Sequence, residues 1–562
     1  MGQPPGALWA RIEAALERDL ARPALTFLDA RLAPRAYDAG ALLACVRGLA
    51  ARLRALALPP GPALGILLES QQAQALHFLA ALAAGRTPAL LTPPSRKLDR
   101  AYYLATTRAA LEGCRFAAVV TDVGDLGPAV TALRPYALDV VRPGPPDDGP
   151  AGDAEAAGAF LQFTSGTTGL RRGVLVRDAA ALAQVDAYAE AIALGPDDRV
   201  VSWLPLYHDM GLVTALVMPL ARGVPAAMLQ PLDWVGRPAA FLQAVARHGG
   251  TLAWMPNFAF AFLADRVREA ELAGVALGTL RGLVNCSEPV THEAQARFLA
   301  RFAPLGVSPN ALWGCYAMAE TTFAVTHGTA ADAGYLDPRG PDAAAPGGRL
   351  PYVSTGRPVR GAEVMVCDAG GAPLPDRRAG ELRVRAPFLF GGYYRDPEAT
   401  RAAFADGWYR TGDLGYRVGG EVFVSGRRKD LLILSGANVH AEDVEAVVSG
   451  VPGVRPGRVS AFAEFDEAAQ TERAVVLAES AAPAEERAAL VLEVRRRVAA
   501  AFQVTGFAVH LVEPGALVKS SAGKMARSAN RERFAHLTAG RPDATGAAAQ
   551  GEPPGAPARG AR

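Results

Sequence analysis

Leu161-Gln162-Phe163-Thr164-Ser165-Gly166-Thr167-Thr168-Gly169-Leu170-Arg171-Arg172-Gly173 is the stretch around which the chain is organised. Ala157 to Phe163 is short, apolar and aromatic, a pattern that predicts a buried strand. The loop behind it contains small and hydroxylated residues until the arginines begin. Glycine lets a backbone approach an anion closely, and Thr and Ser hydroxyls add donors to the exposed N–H groups. Arg171 and Arg172 add charge that physiological pH cannot remove. Thr164, Ser165, Gly166, Thr167, Thr168, Gly169 and Arg172 are therefore candidates for gripping phosphate, set against the plainer reading of a Ser/Gly-rich turn. No Gly-Lys-Ser/Thr closes the segment, so a Walker-type loop does not fit.

At 562 residues the chain exceeds one ordinary core, and two or more domains are expected. Its 58 basic and 56 acidic side chains leave a net charge of +2, which gives no reason to expect a nucleic-acid partner. Cys45, Cys114, Cys286, Cys315 and Cys367 lack C-x-x-C spacing, arguing against a zinc site or a disulfide framework and fitting a reducing cytoplasm. Arg11, Glu13, Glu17 and Arg18 stand where a secretory peptide would be apolar, and no uncharged apolar run reaches membrane-spanning length. A soluble protein without a stable membrane anchor is expected.

Trp9 to Leu20 has helical periodicity. Ala63 to Leu68 reads as a strand, Ala73 to Ala84 as a helix, and Pro88 to Leu91 and Ala117 to Thr121 as further strands. Such alternation predicts a parallel sheet covered on both faces. Arg142 to Asp153 reads as a loop, Asp178 to Ala191 as a helix, and Val200 to Gly211 as a strand ending in His208 and Asp209. In open α/β sheets ligands sit beyond the carboxyl ends of strands, so these two are pocket candidates. Trp254 to Phe260, with Asn257 and Phe258, suits either a core or an apolar substrate site. Asn285 to Val290, with Ser287, and Trp313 to Thr322 read as strand ends running into polar turns. Tyr316 can stack on a base, and Glu320 is a hard ligand suited to magnesium.

Glu363 to Val366 and Glu381 to Val384 predict a β-rich subdomain. Trp408 to Leu414 reads as a tight turn exposing Asp413, a carboxylate suited to a ribose diol. The charge cluster Gly426-Arg427-Arg428-Lys429-Asp430 marks a domain boundary. Beyond it come strands at Leu431 to Leu434 and Ala474 to Leu477, helices at Ala441 to Ser449 and Ala482 to Phe502, and a closing Gly523-Lys524. From about Ala539 the composition cannot form a core. The expected division is a core over 1–426, a small domain over 427–538 and a disordered tail over 539–562.

Taken in order, these motifs resemble the adenylate-forming superfamily of acyl-CoA synthetases, peptide-synthetase adenylation domains and luciferases. The resemblance implies an α/β fold with a large N-terminal domain of layered sheets, a β-subdomain, and a small mobile α+β lid. It implies that Thr164 to Gly169 and Arg172 hold the ATP phosphates, that Tyr316, Thr321, Asp413 and Arg427 bind the nucleotide, and that Glu320 holds magnesium. It also implies that Lys429 lies at the hinge, that Lys524 is the catalytic lysine, and that Glu320 and His208 complete the catalytic set. Leu161 to Gly166, Trp203 to Gly211, Pro256 to Ala259 and Glu288 to Val290 look most like fatty acyl-AMP ligases. On that basis His208, Asp209, Asn257, Phe258 and Ser287 border the acyl site. Activity is then expected on a small-molecule carboxylic acid of fatty or apolar type. The acceptor would be a phosphopantetheine thiol, on an acyl carrier protein or on CoA. CoA ligases usually have Pro-Lys where this chain has Arg171-Arg172, and Gly328 to Thr355 is intermediate in length, so the acceptor stays open. Two further readings stay open as well: an amino-acid adenylating enzyme, with Asp209 pairing an ammonium, and a non-catalytic nucleotide or acyl binder.

Overall fold

The computed structural model describes residues 6–56, 58, 63–94, 100–122, 140–141, 159–164, 172–288, 290–332, 335–341, 352–434, 437–466, 471–502, 507–520 and 523–538. They fall into two compact units. One comprises the residues up to 429 together with 519–524, and the other comprises 430–518 with those from 525 onward. The expected loop at 142–153, most of the loop after Thr164 and the expected tail lie outside the described residues.

The alternation of short apolar segments and helices in the first unit produces two mainly parallel sheets. Nine described strands form one, in the order Arg357–Pro358, Ala324–Thr329, Leu312–Ala317, Gly282–Asn285, Leu252–Met255, Val200–Ser202, Ala226–Leu229, Pro23–Leu28 and Pro34–Asp38. Neighbours from Leu312–Ala317 through Pro23–Leu28 run parallel, and the edges are antiparallel. Six described strands form the other, in the order Val140–Val141, Ala118–Thr121, Leu64–Leu67, Pro88–Leu90, Phe160–Phe163 and Gly173–Val176. Leu64–Leu67, Ala118–Thr121 and Phe160–Phe163 are buried at every position, as strands covered on both faces must be. A third, antiparallel sheet holds Glu363–Cys367, Gly380–Arg385 and Trp408–Val418. The main core runs under the first two sheets and encloses Trp254 and Tyr188, whose indole N–H donates to the phenol at 2.8 Å.

Two local expectations change. The strand at Val200 stops at Ser202, and Asp209 opens a helix instead of ending a strand. Pro205 has no N–H to give a ladder, so the chain leaves the sheet there. The helix continues through a π-helical turn, Leu212–Val217, before Met218–Arg222. Trp408 to Leu414 is no tight turn with an exposed carboxylate: it lies within one strand, Trp408–Val418, and Asp413 is 6% exposed. Gly412, at φ 71°, kinks the strand and the register shifts at Leu414, so two irregularities that look like a turn in sequence bend a strand instead.

The second unit pairs Leu431–Leu434 with Ala437–His440 and stacks helices Ala441–Ser449 and Ala484–Phe502 with a three-stranded sheet of Val459–Asp466, Thr471–Glu479 and Ala508–Val512. Its core is its own, built from Val444, Val448, Val476, Val494 and Val498 among others. No helix among the described residues is long and apolar enough to cross a membrane.

Gly211 sits where a Cβ would collide with the Pro205 carbonyl oxygen and carbon. Gly211→Ala is expected to destabilise the first unit by about 1–3 kcal/mol through overpacking, read from the urea midpoint with its m-value unchanged.

Candidate active site

The parallel order places four neighbouring strand ends in a row. Leu312–Ala317 leads to Glu320, Gly282–Asn285 to Ser287, Leu252–Met255 to Asn257 and Phe258, and Val200–Ser202 to His208 and Asp209. Residues far apart in the chain thus meet beyond the carboxyl edge of one sheet.

At one end of the row, Tyr316 donates its hydroxyl to Asp413 Oδ2 at 2.7 Å, and Arg427 Nε donates to Asp413 Oδ1 at 3.1 Å. Asp413 and Arg427 are cross-strand partners, which sets the pair without help from the loops. Burial raises the Tyr316 hydroxyl well above its ordinary value and the Asp413 charge adds to this, so Tyr316 stays a donor. Each Asp413 oxygen keeps a further lone pair for another donor.

Glu320 lies in the single turn Ala319–Thr321 and accepts a 2.9 Å hydrogen bond from the Tyr393 hydroxyl. Desolvation raises its carboxyl above the ordinary range, opposed by that bond and by Arg427. Arg172 lies over the Tyr393 ring, 5.2 Å from its centroid, and 3.6 Å from Asp396. Thr164 Oγ1 accepts the Arg172 N–H at 3.3 Å, joining the two described ends of the segment expected to hold phosphate. Ser165 to Gly169 lie outside the described residues. Sequence reasoning missed Tyr393, although an aromatic pair behind Gly391-Gly392 was a usable signal.

Toward the other end, Asp209 and Lys524 belong to the same compact unit and act on each other's charge. Desolvation lowers the Lys524 ammonium, Arg427 lowers it further, and Glu288 and Asp209 raise it. Desolvation raises Asp209, with the Met210 N–H and Lys524 acting against it. Glu288 also accepts the Phe258 N–H at 3.0 Å. Phe258 is 38% exposed, and its ring lies 6.5 Å from Trp203 and 6.3 Å from Trp234, two indoles stacked at 3.5 Å. His208 packs on Tyr207, with ring centroids 5.1 Å apart.

Three candidates hold the frame instead of presenting a free group. Asn257 Oδ1 accepts from Asn285 and the Thr291 N–H, and its amide donates to Thr291 Oγ1. The Thr321 hydroxyl is committed to the Met318 and Phe323 carbonyls. Ser287, at φ 72°, is a strained corner whose hydroxyl meets the sulfurs of Met210 and Cys286. Thr322, at φ 64°, is a second such corner, held by Phe388 and Gln162. Lys429 lies in the turn Arg428–Asp430, and its side chain is outside the described part of the structure. Among the described residues, no group of three or more His, Cys, Asp or Glu side chains is arranged to hold a metal.

Layered parallel sheets with Glu320 and Asp209 beyond their carboxyl ends agree with an adenylate-forming ligase, the class that the relatives show. A profile described as AMP-binding enzyme matches residues 12–394, and the chain belongs to that family. It is 32% identical over 520 residues to the long-chain-fatty-acid–AMP ligase FadD26 of Mycobacterium marinum, covering 84% of this chain and 87% of that one. It is 32% identical over 430 residues to 4-hydroxyphenylalkanoate adenylyltransferase of Mycobacterium tuberculosis, covering 69% and 67%. Among solved structures, one from a study of fatty acyl-adenylate ligases of E. coli and L. pneumophila matches with a TM-score of 0.81 at 27% identity, covering 96% of this chain and 99% of that one.

The raised Glu320 carboxyl means that folding takes up a proton there, a contribution present in acid and lost as pH rises through the raised value. In the ligand-free protein, Glu320→Gln should therefore gain stability relative to wild type as pH climbs from about 4 to about 8. Thermal melts across that range check it, and a difference that does not grow with pH would remove the assigned desolvation.

Proposed function

We propose that this protein joins ATP to a fatty or otherwise apolar carboxylic acid, giving an acyl-adenylate and pyrophosphate, and then passes the acyl group to the phosphopantetheine thiol of an acyl carrier protein. The observation that carries the reading is that the charges of Asp209 and Glu288 act on Lys524, while Glu288 holds the N–H of Phe258 in the apolar wall of Phe258, Trp203 and Trp234. The fatty-acid and arylalkanoate specificities in the relatives' names support it.

The chemistry asks for charge at phosphate. A carboxylate is a poor electrophile, so it attacks the α-phosphate, and negative charge accumulates on phosphate oxygens. Lys524, already drawn from bulk water, meets that charge where a preorganised cation is most effective. Arg172 and the loop from Thr164 would hold the outer phosphates, Tyr316 would face the base, and Asp413 with Arg427 the ribose. The donor set at Glu320 fits magnesium: it is one hard carboxylate whose described hydrogen-bond donor, Tyr393, is neutral. Glu320 would hold that ion, which neutralises phosphate charge when bound. His208 and Phe258 would border the acyl chain. The lid is proposed to extend from Arg427 to Thr538 and to turn at Lys429, and the protein to work in the cytoplasm.

Asp209 bears on amino acids as substrates. Desolvation raises its carboxyl and disfavours the ionised form that would pair with a substrate ammonium. Free CoA remains the competing acceptor.

Pyrophosphate release should be fastest with fatty acids among fatty, aryl and amino acids. The acyl-adenylate should persist with CoA and be consumed by a phosphopantetheinylated carrier protein, as read by mass spectrometry. Rapid acyl-CoA formation would replace the acceptor assignment. Lys524→Ala should lower pyrophosphate release by about 10²–10³-fold while leaving ATP binding largely intact.

A further inference from the structure

The second unit contains a charge cluster that the proposed chemistry does not use. Arg527 opens the helix Arg527–Arg533, and its side chain is 10% exposed. Its Nε and Nη2 donate to the two Glu445 oxygens at 2.8 and 2.7 Å, and its Nη1 donates to Asp430 Oδ2 and Glu442 Oε1, both at 2.8 Å. Two parts of the unit therefore converge on one planar cation, and a third reaches it through Glu445. Asp430 is where the unit begins, directly after Lys429. Glu442 and Glu445 are three residues apart on the helix Ala441–Ser449 and share a face. Glu445 Oε1 also accepts the Ala461 N–H at 2.9 Å, which brings in the three-stranded sheet.

One turn further along the same helix, Asn530 is fully buried. Its Oδ1 accepts the Val518 N–H at 2.7 Å and its amide donates to the Val518 carbonyl at 3.1 Å. That carbonyl also accepts the Ala526 N–H at 3.1 Å. Val518 and Ala526 flank the segment that carries Lys524, which closes on itself through Ser520 N–H to Lys524 carbonyl at 2.7 Å and Gly523 N–H to Ser520 carbonyl at 2.9 Å. The stems of the lysine loop are thus fastened to the helix that Arg527 anchors.

We propose that Arg527 is a positioning residue for Lys524, fixing the stems of its loop, Val518 and Ala526, against the hinge-side residue Asp430 and the helix Ala441–Ser449. The inference rests on the reading of Lys524 as the catalytic lysine. Stability alone is a weak reason for such a cluster, since well-packed apolar groups commonly hold a core as well as buried ions do. A guanidinium fork that engages three carboxylates in fixed directions supplies orientation, which an ammonium cannot reproduce.

The test is a double-mutant cycle on the full chain with pyrophosphate release as readout. Arg527→Lys should lower kcat about 10- to 100-fold, as expected for a catalytic group displaced by about an ångström. It should leave KM for ATP within about twofold and a cooperative melt. In the Lys524→Ala background the same change should cause no further loss, because a residue acting through Lys524 then has nothing left to position. If Arg527→Lys lowers the residual turnover of Lys524→Ala by the same factor, or leaves kcat of the wild type untouched, the positioning role is overturned. Where Arg527→Lys fails to fold, Asp430→Asn, which keeps the paired bonds to Glu445, is read in the same cycle. A Lys524→Ala variant as active as wild type would instead overturn the reading of Lys524, a result distinct from additive losses in the cycle.

Discussion

Charge drawn away from bulk water at one edge of a parallel sheet is the constraint on which this structure depends. Asp209, Glu320 and Lys524 are costly to desolvate alone, and the fold offsets the cost by setting an opposite charge or a hydroxyl to act on each, while Asp413 is tied to Tyr316 and Arg427 from the antiparallel sheet. The parallel sheet supplies Asp209 and Glu320 by ordering strands so that four consecutive carboxyl ends open on one side. The arrangement also explains the strained corners at Ser287 and Thr322. Both follow adjacent strands: Ser287 turns the chain toward Glu288 at the edge, and Thr322 returns it from Glu320 to the buried Phe323.

Electrostatic preorganisation and rigidity are linked here. Asn257 commits its amide to Asn285 and Thr291, and Thr321 commits its hydroxyl to its own turn, so two polar groups beside the site hold backbone in place. The stacked indoles of Trp203 and Trp234 do the same for the apolar wall. A site that must stabilise developing charge gains from such support, because dipoles already oriented need not reorganise during reaction.

The second unit repeats the logic on a smaller scale. Its valine-rich core keeps the helices and sheet together, while Glu479 and Asn530 hold Leu517 and Val518 and Arg527 binds Glu445. Apolar packing supplies cohesion without direction, and the forked and bracketed hydrogen bonds supply direction.

What could be read from the residues alone was local or chemical. Short apolar runs bounded by Gly, Pro and polar turns marked Leu64–Leu67 and Phe160–Phe163, and the helices Asp178–Ala191 and Ala441–Ser449 coincide with their expected spans. Motif order also pointed to the family, since phosphate, base and carboxylate chemistry each demand particular side chains. What tertiary structure decided was partnership. Nothing in sequence placed Tyr316 on Asp413, put Tyr393 on Glu320 or joined Arg527 to Asp430, because these contacts span from 73 to 97 residues and depend on strand order and register. The same limit explains Asp413, where Gly412 suggested a turn and cross-strand pairing made a bent strand. Side-chain type is written along the chain, but the charge, donor or ring that faces it is set by how the chain returns to that point.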